Sequence, residues 1–226
     1  MRIANAGDAM GTPTQPMGKM LAAKPKAALK GGYFYFFLRN SGPMFSIPGL
    51  GDAALGHVGW AFQFNDSGSH YMGSMENLSG SPVTRGKAKV DAGYWFGART
   101  GGKESVLREM ATCQMAEEQL GFAARQRSSG RPNDQANHIQ PYDQWKACYV
   151  EKPDPNKALR RAQQWGNGGV AGITYSALMQ NCLDNAVTIA QDYGVRNLPW
   201  RWNHPAPWVW FNAVDAEDGG DVPLQY

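Results

Sequence analysis

The spacing of apolar and polar residues predicts an antiparallel sheet followed by helices. Apolar and aromatic runs bounded by turn residues are typical of strands, and such runs cover residues 33–40, 56–64, 70–77, 91–100 and 145–152. The second and third runs flank the turn-rich segment NDSGS and therefore predict a β-hairpin. Apolar residues at three- and four-residue spacing predict helices over 103–127, after Asp154 with Pro155 at the first position, and from Cys182 to Tyr193.

The helix that begins at Cys182 has clear signals at both ends. Asn181 is a suitable N-cap, and Asp184 three residues later completes a capping-box pattern. Gly194 can close the helix in a left-handed conformation. Cys182 thus lies in the first turn, where the unpaired backbone N–H groups and the helix dipole favour a thiolate. The alternative is a small buried core residue, because free cysteines are among the most buried residues in proteins.

A histidine, His57, stands at the head of the first hairpin strand. A thiol hydrolase needs such a histidine together with a cysteine at a helix start, even when the two are far apart in the sequence. The imidazole takes the thiol proton and later protonates the leaving group. The sequence therefore favours Cys182 as a nucleophile and His57 as its general base and acid.

These two motifs resemble those of the circularly permuted papain-like hydrolases, which include permuted NlpC-type peptidases and lecithin retinol acyltransferase-like enzymes. In that group the histidine hairpin precedes the cysteine helix. Tyr175, Asn181, Cys182 and Gly194 match its motif of a tyrosine, Asn–Cys and a helix that ends near glycine. The resemblance covers roughly residues 33–97 and 145–200. It implies an α+β fold with a permuted papain-like core, in which an antiparallel sheet packs on the cysteine helix.

A third catalytic residue would orient the imidazole. With the hairpin turn centred near Ser67, Asn77 falls opposite His57 and Glu76 lies one register step away. In the acyltransferase-like branch this residue is instead a second histidine about a dozen positions after the first, a spacing that His70 matches. Hairpin geometry favours Asn77 and spacing favours His70, so both stay candidates.

Composition narrows the classes of function. A chain of 226 residues with 42% hydrophobic and 18% charged residues is typical of one globular domain. The net charge of +3, without basic runs among aromatics, argues against a nucleic-acid partner. The histidines are not at metal-ligand spacing, so we expect neither a metal site nor a cofactor. Cys113 and Cys148 are predicted to be core residues, and the odd cysteine count indicates a reduced, intracellular origin.

We expect three regions along the chain: a poorly ordered arm over 1–31, a catalytic domain over 32–212 with a helical insertion at about 101–140, and a frayed acidic tail over 213–226. No apolar run reaches membrane-spanning length, and the first residues lack the pattern of a secretory signal. We therefore expect the protein to be cytoplasmic in the producing cell or to leave it by a signal-independent route.

Residues 198–211 contain four tryptophans and three prolines. The prolines exclude a regular helix at the start of this segment. We interpret the tryptophans as side chains that cover the core and form a wall of the cleft. The other interpretation is an aromatic platform for substrate or a patch that contacts a membrane surface.

The leading functional hypothesis is a cysteine hydrolase that cleaves an amide bond. The NlpC-type side of the resemblance implies a cell-wall peptide, reached only if the protein is delivered as an antibacterial effector, with delivery machinery and an immunity protein as partners. The second hypothesis is a thiol acyltransferase or lipid deacylase, whose tryptophan-rich segment would meet a membrane. The third is a catalytically inactive binding module.

Overall fold

The computed structural model describes residues 29–40, 44–47, 51–54, 56–77, 92–120, 140–166, 181–204 and 206–223. The strands in these stretches are β1 (Gly32–Arg39), β2 (Met44–Ile47), β3 (Gly51–Ala54), β4 (His57–Gln63), β5 (His70–Asn77), β6 (Ala92–Arg99), β7 (Gln144–Val150) and β8 (Asp218–Asp221). The helices are α1 (Gly102–Thr112), α2 (residues 114–120), α3 (Pro155–Gly166), α4 (Cys182–Tyr193) and α5 (Pro207–Ala213). A 3-10 turn covers Arg201–Asn203.

Six strands form one antiparallel sheet in the order β6-β5-β4-β1-β7-β8, and β2 pairs with β3 apart from it. Helices cover both faces of the six-stranded sheet. The α+β class predicted from the sequence is therefore confirmed. Within the described stretches, no helix combines the length and the apolar character that crossing a membrane requires.

The central strand, β1, is buried on both faces. A strand in this position reads as a continuous apolar run rather than as an alternating one, which explains the segment YFYFFL. The face toward α3, α4 and α5 carries the side chains of Phe34, Phe36, Leu38, Val58, Trp60 and Phe62. The face toward α1 and α2 carries those of Tyr35, Phe37, Ala61, Met72 and Trp95.

The helix predicted over 103–127 is interrupted at Cys113. This residue adopts a left-handed conformation, with φ of 50°, and separates α1 from α2. The buried carboxylate of Glu109 accepts the backbone N–H of Met115 across the break and is held by Arg99 at 2.7 Å. Tertiary contacts thus decide the break, which the helical periodicity of the sequence does not show. Residues 121–139 of the predicted insertion lie outside the described stretches.

The acidic segment predicted as a frayed tail contributes the edge strand β8. Its residues Asp218–Asp221 pair with Gln144–Ala147 of β7, and Lys103 forms a 2.8 Å ion pair with Asp218. Val222 directly after the strand is buried. The C-terminal part of the chain is therefore integrated into the sheet as far as it is described. The arm predicted over 1–31 lies outside the described residues up to position 28.

We predict that Gly73→Ala destabilises the sheet. A Cβ atom at this position of β5 would lie 2.4 Å from the backbone oxygen of Trp95 and 2.9 Å from the Trp60 ring. Overpacking of this kind costs about 1–3 kcal/mol or more, because the backbone atom cannot move aside like a flexible side chain. The free energy of unfolding from urea titration measures the effect.

Gly220→Ala in β8 is the matched control for this substitution. The nearest atom to a Cβ at Gly220 is 3.7 Å away, which is an ordinary contact. We expect a change within about 0.5 kcal/mol. Equal losses in the two variants would show that the close approach at Gly73 is not what limits stability.

Candidate active site

The first turn of α4 positions Cys182. The Asn181 side chain accepts the backbone N–H groups of Leu183 at 2.9 Å and Asp184 at 3.2 Å, and the Asp184 carboxylate accepts the Asn181 N–H at 3.0 Å. This completes the predicted capping box. Gly194 closes the helix with φ of 116°, as predicted. Cys182 is therefore held in a rigid, capped helix start and is itself buried.

The hairpin of β4 and β5 is paired one residue away from the predicted register. The observed pairs run from Gln63–His70 to Trp60–Gly73. Three further steps in the same register, beyond the Trp60–Gly73 pair, align His57 with Glu76 instead of Asn77. The turn is centred half a residue earlier than Ser67, and in an antiparallel pair this small difference moves every partner by one residue.

Beyond the Trp60–Gly73 pair, side chains bond to the backbone of β4. The N–H of Val58 donates to the Cys182 sulfur at 3.5 Å, and the Val58 carbonyl accepts the hydroxyl of Ser74 at 3.2 Å. Both groups would face β5 in a regular ladder. The candidate site thus lies at the end of the sheet where backbone groups of β4 hydrogen-bond to side chains instead of to the backbone of β5.

His57 is buried and contacts side chains of β5 and α4. Its Nε2 lies 2.7 Å from the Ser74 oxygen and 3.1 Å from a Glu76 carboxylate oxygen. Because the Ser74 hydroxyl donates to Val58, its oxygen accepts from the ring, which assigns a proton to Nε2. His57 also hydrogen-bonds the Cys182 side chain.

The carboxylate of Glu76 is held from three sides. One oxygen contacts His57 and accepts the Trp95 indole N–H at 3.2 Å, and the other binds the Arg39 guanidinium at 2.8 Å. Arg39 in turn donates to the backbone oxygen of Gln140 at 2.8 Å. Burial raises the pKa of Glu76, but His57 and Arg39 together hold it well below its usual range. Glu76 is therefore a carboxylate fixed in the protein interior.

The charges around His57 favour its protonated form. Burial lowers the pKa of His57, but the interactions with Glu76 and then with Cys182 raise it more, to about 9 in spite of the nearby Arg39. At neutral pH the imidazole therefore carries a proton beside the sulfur. A cysteine paired with an imidazolium is the activated nucleophile of thiol hydrolases.

Of the two candidates for a third residue, the structure describes the side chain of His70 alone. His70 begins β5 and pairs with Gln63, six residues from Glu76 along the strand, or about 20 Å. Its Nδ1 lies 3.1 Å from the Gly68 oxygen, and burial lowers its pKa. The structure does not bring His70 together with His57. The side chain of Asn77 and the whole of Tyr175 lie outside the described part of the chain.

Four residues that contribute to the site are not predicted as catalytic from the sequence: Arg39, Ser74, Glu76 and Trp95. Glu76 lies one register step from Asn77, the residue that the predicted hairpin places opposite His57. Arg39 could have been recognised in the sequence, because it is a charged residue at the end of an aromatic run. In the structure it pairs directly with His57 across β1 and β4. Such a residue needs a buried partner.

The remaining cysteines have different surroundings. Burial raises the pKa of both Cys113 and Cys148 to about 12, so these thiols are protonated and unreactive at neutral pH. They are core residues, as the sequence predicts. Over the residues that the structure describes, no group of three or more histidine, cysteine or acidic side chains is arranged to hold a metal ion.

No family model and no curated protein matches this chain. Among solved structures, it is similar to the crystal structure of the type VI secretion system effector TseH. The two are 13% identical, with 81% of this chain and 87% of that chain covered at a TM-score of 0.43. A similarity of this size does not carry a functional assignment, which has to come from the site itself.

We predict that Glu76→Gln lowers the pKa of His57. The carboxylate favours the imidazolium, so its loss moves the deprotonation of the ring from about pH 9 toward lower pH. An NMR titration of the protein labelled with ¹³C in its histidine rings measures the midpoint directly, and a His57→Ala spectrum assigns the signal.

Glu109→Gln is the matched control for this titration. Glu109 is also a buried carboxylate paired with an arginine, Arg99, but it belongs to the break between α1 and α2. The midpoint of His57 should not move in this variant. Equal midpoints in wild type and Glu76→Gln would exclude Glu76 as the source of the raised pKa.

Proposed function

We propose that this protein is a cysteine hydrolase that cleaves amide bonds. The observation that carries the proposal is the buried chain of contacts from Cys182 through His57 to Glu76. A sulfur at a helix start, an imidazole that bears a proton, and a fixed carboxylate behind the imidazole are the parts that thiol hydrolysis needs.

In the proposed mechanism, the Cys182 thiolate attacks the carbonyl carbon of the amide. The negative charge that develops on the carbonyl oxygen is stabilised by the backbone N–H of Cys182 at the helix N-terminus. The imidazolium of His57 then gives its proton to the nitrogen as the C–N bond breaks, which leaves a thioester. Neutral His57 next takes a proton from water, the resulting hydroxide attacks the thioester, and Cys182 is released as the thiolate.

Glu76 is the proposed orienting residue for His57. Its carboxylate lies 3.1 Å from Nε2 and is fixed by Arg39 and Trp95. It would hold the ring plane and stabilise the imidazolium between the two half-reactions. Asn77 stays a prediction from the sequence for the same role. His70 is a weaker candidate because of its distance along β5.

The proposed substrate is a peptide amide of the bacterial cell wall. The support for it is the resemblance of the Asn181–Cys182 motif and of the His57 hairpin to the permuted NlpC-type peptidases. In this proposal the protein is an antibacterial effector that reaches its substrate by delivery into a target cell. The producing cell would then need an immunity protein that protects its own cell wall from the enzyme.

Lipid deacylation or acyl transfer is the second candidate function. The observation that favours it is the exposure of Trp200 at 66%, Trp202 at 57% and Trp208 at 41%. Exposed tryptophans are enriched where proteins meet the membrane–water interface. The same cysteine chemistry would then act on an ester instead of an amide.

One experiment separates these functions. The protein and its Cys182→Ala variant are incubated with purified peptidoglycan and with phospholipid vesicles, and the products are identified by mass spectrometry. New amine and carboxyl ends on peptidoglycan fragments, absent with the variant, are the expected result. Released fatty acids would support the second candidate. Products that also form with the variant, or no products on either substrate, would contradict a cysteine hydrolase acting on these materials.

We predict that iodoacetamide alkylates Cys182 first at pH 7. Cys182 neighbours an imidazolium, whereas the thiols of Cys113 and Cys148 have a pKa of about 12, so only Cys182 is expected to have an appreciable thiolate fraction. Peptide mass mapping after short labelling times gives the order. Activity should be lost as Cys182 is labelled, and Cys148→Ala should retain it. Labelling of all three cysteines at one rate would contradict the proposal.

We predict that Glu76→Gln lowers kcat by about tenfold or more, which corresponds to about 1.4 kcal/mol in the barrier. The loss follows because the neutral amide neither orients the ring as firmly nor stabilises its charge. His70→Ala should change kcat little. Asn77→Ala is measured in the same series, and a loss there that exceeds the loss in Glu76→Gln would assign the orienting role to Asn77.

A further inference from the structure

Arg201 connects the tryptophan-rich segment, residues 198–211, to the helix turn that carries Cys182. It begins the 3-10 turn Arg201–Asn203, and its guanidinium forms an ion pair with the Asp184 carboxylate in the first turn of α4. Both side chains are mostly covered, with exposures of 16% and 18%. A covered ion pair is screened less by solvent than a surface pair. Arg201 is therefore a fixed charge beside the helix start.

Asp184 has two effects at this helix start that oppose each other. Its carboxylate accepts the Asn181 N–H at 3.0 Å and so completes the cap. It also places a negative charge two residues from Cys182. A like charge at such a separation disfavours a thiolate, so the cap that positions the nucleophile also opposes its ionisation.

The ion pair with Arg201 offsets the unfavourable effect of the Asp184 charge on the Cys182 thiolate. The guanidinium balances the carboxylate, and its charge also acts on the Cys182 sulfur. Burial lowers the pKa of Arg201, and the interaction with Cys182 partly offsets this lowering. An attraction of this kind is reciprocal, because whatever favours the charged guanidinium beside the sulfur also favours the thiolate beside the guanidinium.

The position of Arg201 is fixed by the core. The indole N–H of Trp210 in α5 donates to the backbone oxygen of Pro199 at 2.9 Å. Trp210 itself is completely buried and packs edge-on against Phe36 of β1, with ring centroids 5.1 Å apart. The Trp202 ring lies 5.6 Å from the guanidinium carbon of Arg201. The segment after α4 is thus anchored where it presents its cation to the helix start.

We propose that Arg201 is a positioning residue for the nucleophile, which cancels the charge of the Asp184 cap and supports the thiolate of Cys182. The inference rests on the proposed function in taking Cys182 as the nucleophile. Among the residues that the structure describes, the charged groups near the sulfur stand on five elements. They are Asp184 on α4, Arg201 on the 3-10 turn, His57 on β4, and, behind His57, Glu76 on β5 and Arg39 on β1.

The test is the pH dependence of Cys182 alkylation by iodoacetamide, followed by mass mapping of the Cys182 peptide. The acid limb is the part of the pH profile in which the alkylation rate falls as the thiolate becomes protonated. In Arg201→Gln this acid limb should move to higher pH by about one unit or more. Alkylation well below the midpoint then slows by about tenfold. Arg201→Lys keeps the charge and should keep the limb close to that of wild type.

The decisive comparison is the double variant Asp184→Asn with Arg201→Gln. Asparagine can still accept the Asn181 N–H, so the cap is kept while both charges are removed. The acid limb should return toward the wild-type position. A limb that does not move in Arg201→Gln, or that stays displaced in the double variant, would overturn the proposal. Thermal unfolding of each variant serves as a control, because lower stability with an unmoved limb shows a purely structural role.

This experiment distinguishes failure of the inference from failure of the proposed function, since it reads the thiol without any substrate. A wild-type protein in which Cys182 reacts no faster than an ordinary cysteine would contradict both. A reactive Cys182 whose acid limb does not depend on Arg201 would contradict the inference alone. A displaced limb in Arg201→Gln, together with failure to hydrolyse any amide, would uphold the inference and contradict the proposed function.

Discussion

The buried pairing of Arg39 with Glu76 is the interaction on which the site depends. Removing one partner from such a pair typically costs about 3–5 kcal/mol, because it leaves an uncompensated charge in the interior. The pair contributes little as a stabilising contact in itself, but it fixes a carboxylate where His57 needs one. Two further contacts, from the Trp95 indole N–H and the Gln140 carbonyl, engage the buried polar groups. This arrangement keeps Glu76 ionised next to the imidazole.

The geometry of the sheet delivers these groups to one place. Arg39, His57 and Glu76 stand on the neighbouring strands β1, β4 and β5, and Arg39 is directly paired with His57. Adjacent strands are about 4.8 Å apart, so side chains at the same level along the sheet come within contact distance. The proposed catalytic residues therefore form a cross-strand row at the end of the sheet, which requires the correct pairing register of the hairpin.

The sequence predicts the elements of this arrangement well and their mutual register poorly. The caps of α4 follow from Asn181, Asp184 and Gly194, because capping is a local interaction within a few residues. The choice between Asn77 and Glu76 depends on half a residue at a hairpin turn, which local patterns do not resolve. The same holds beyond the site. Neither the break between α1 and α2 nor the pairing of β8 with β7 is set by local sequence alone.

Cys182 differs from the core cysteines in its charged neighbours rather than in its burial. All three cysteines are buried, and burial, together with nearby carboxylates, raises the pKa of Cys113 and Cys148 so that these thiols stay protonated. Cys182 instead has two cations near it, and each forms an ion pair with a carboxylate: His57 with Glu76, and Arg201 with Asp184. In the proposed enzyme these two cations favour the thiolate form of a buried cysteine.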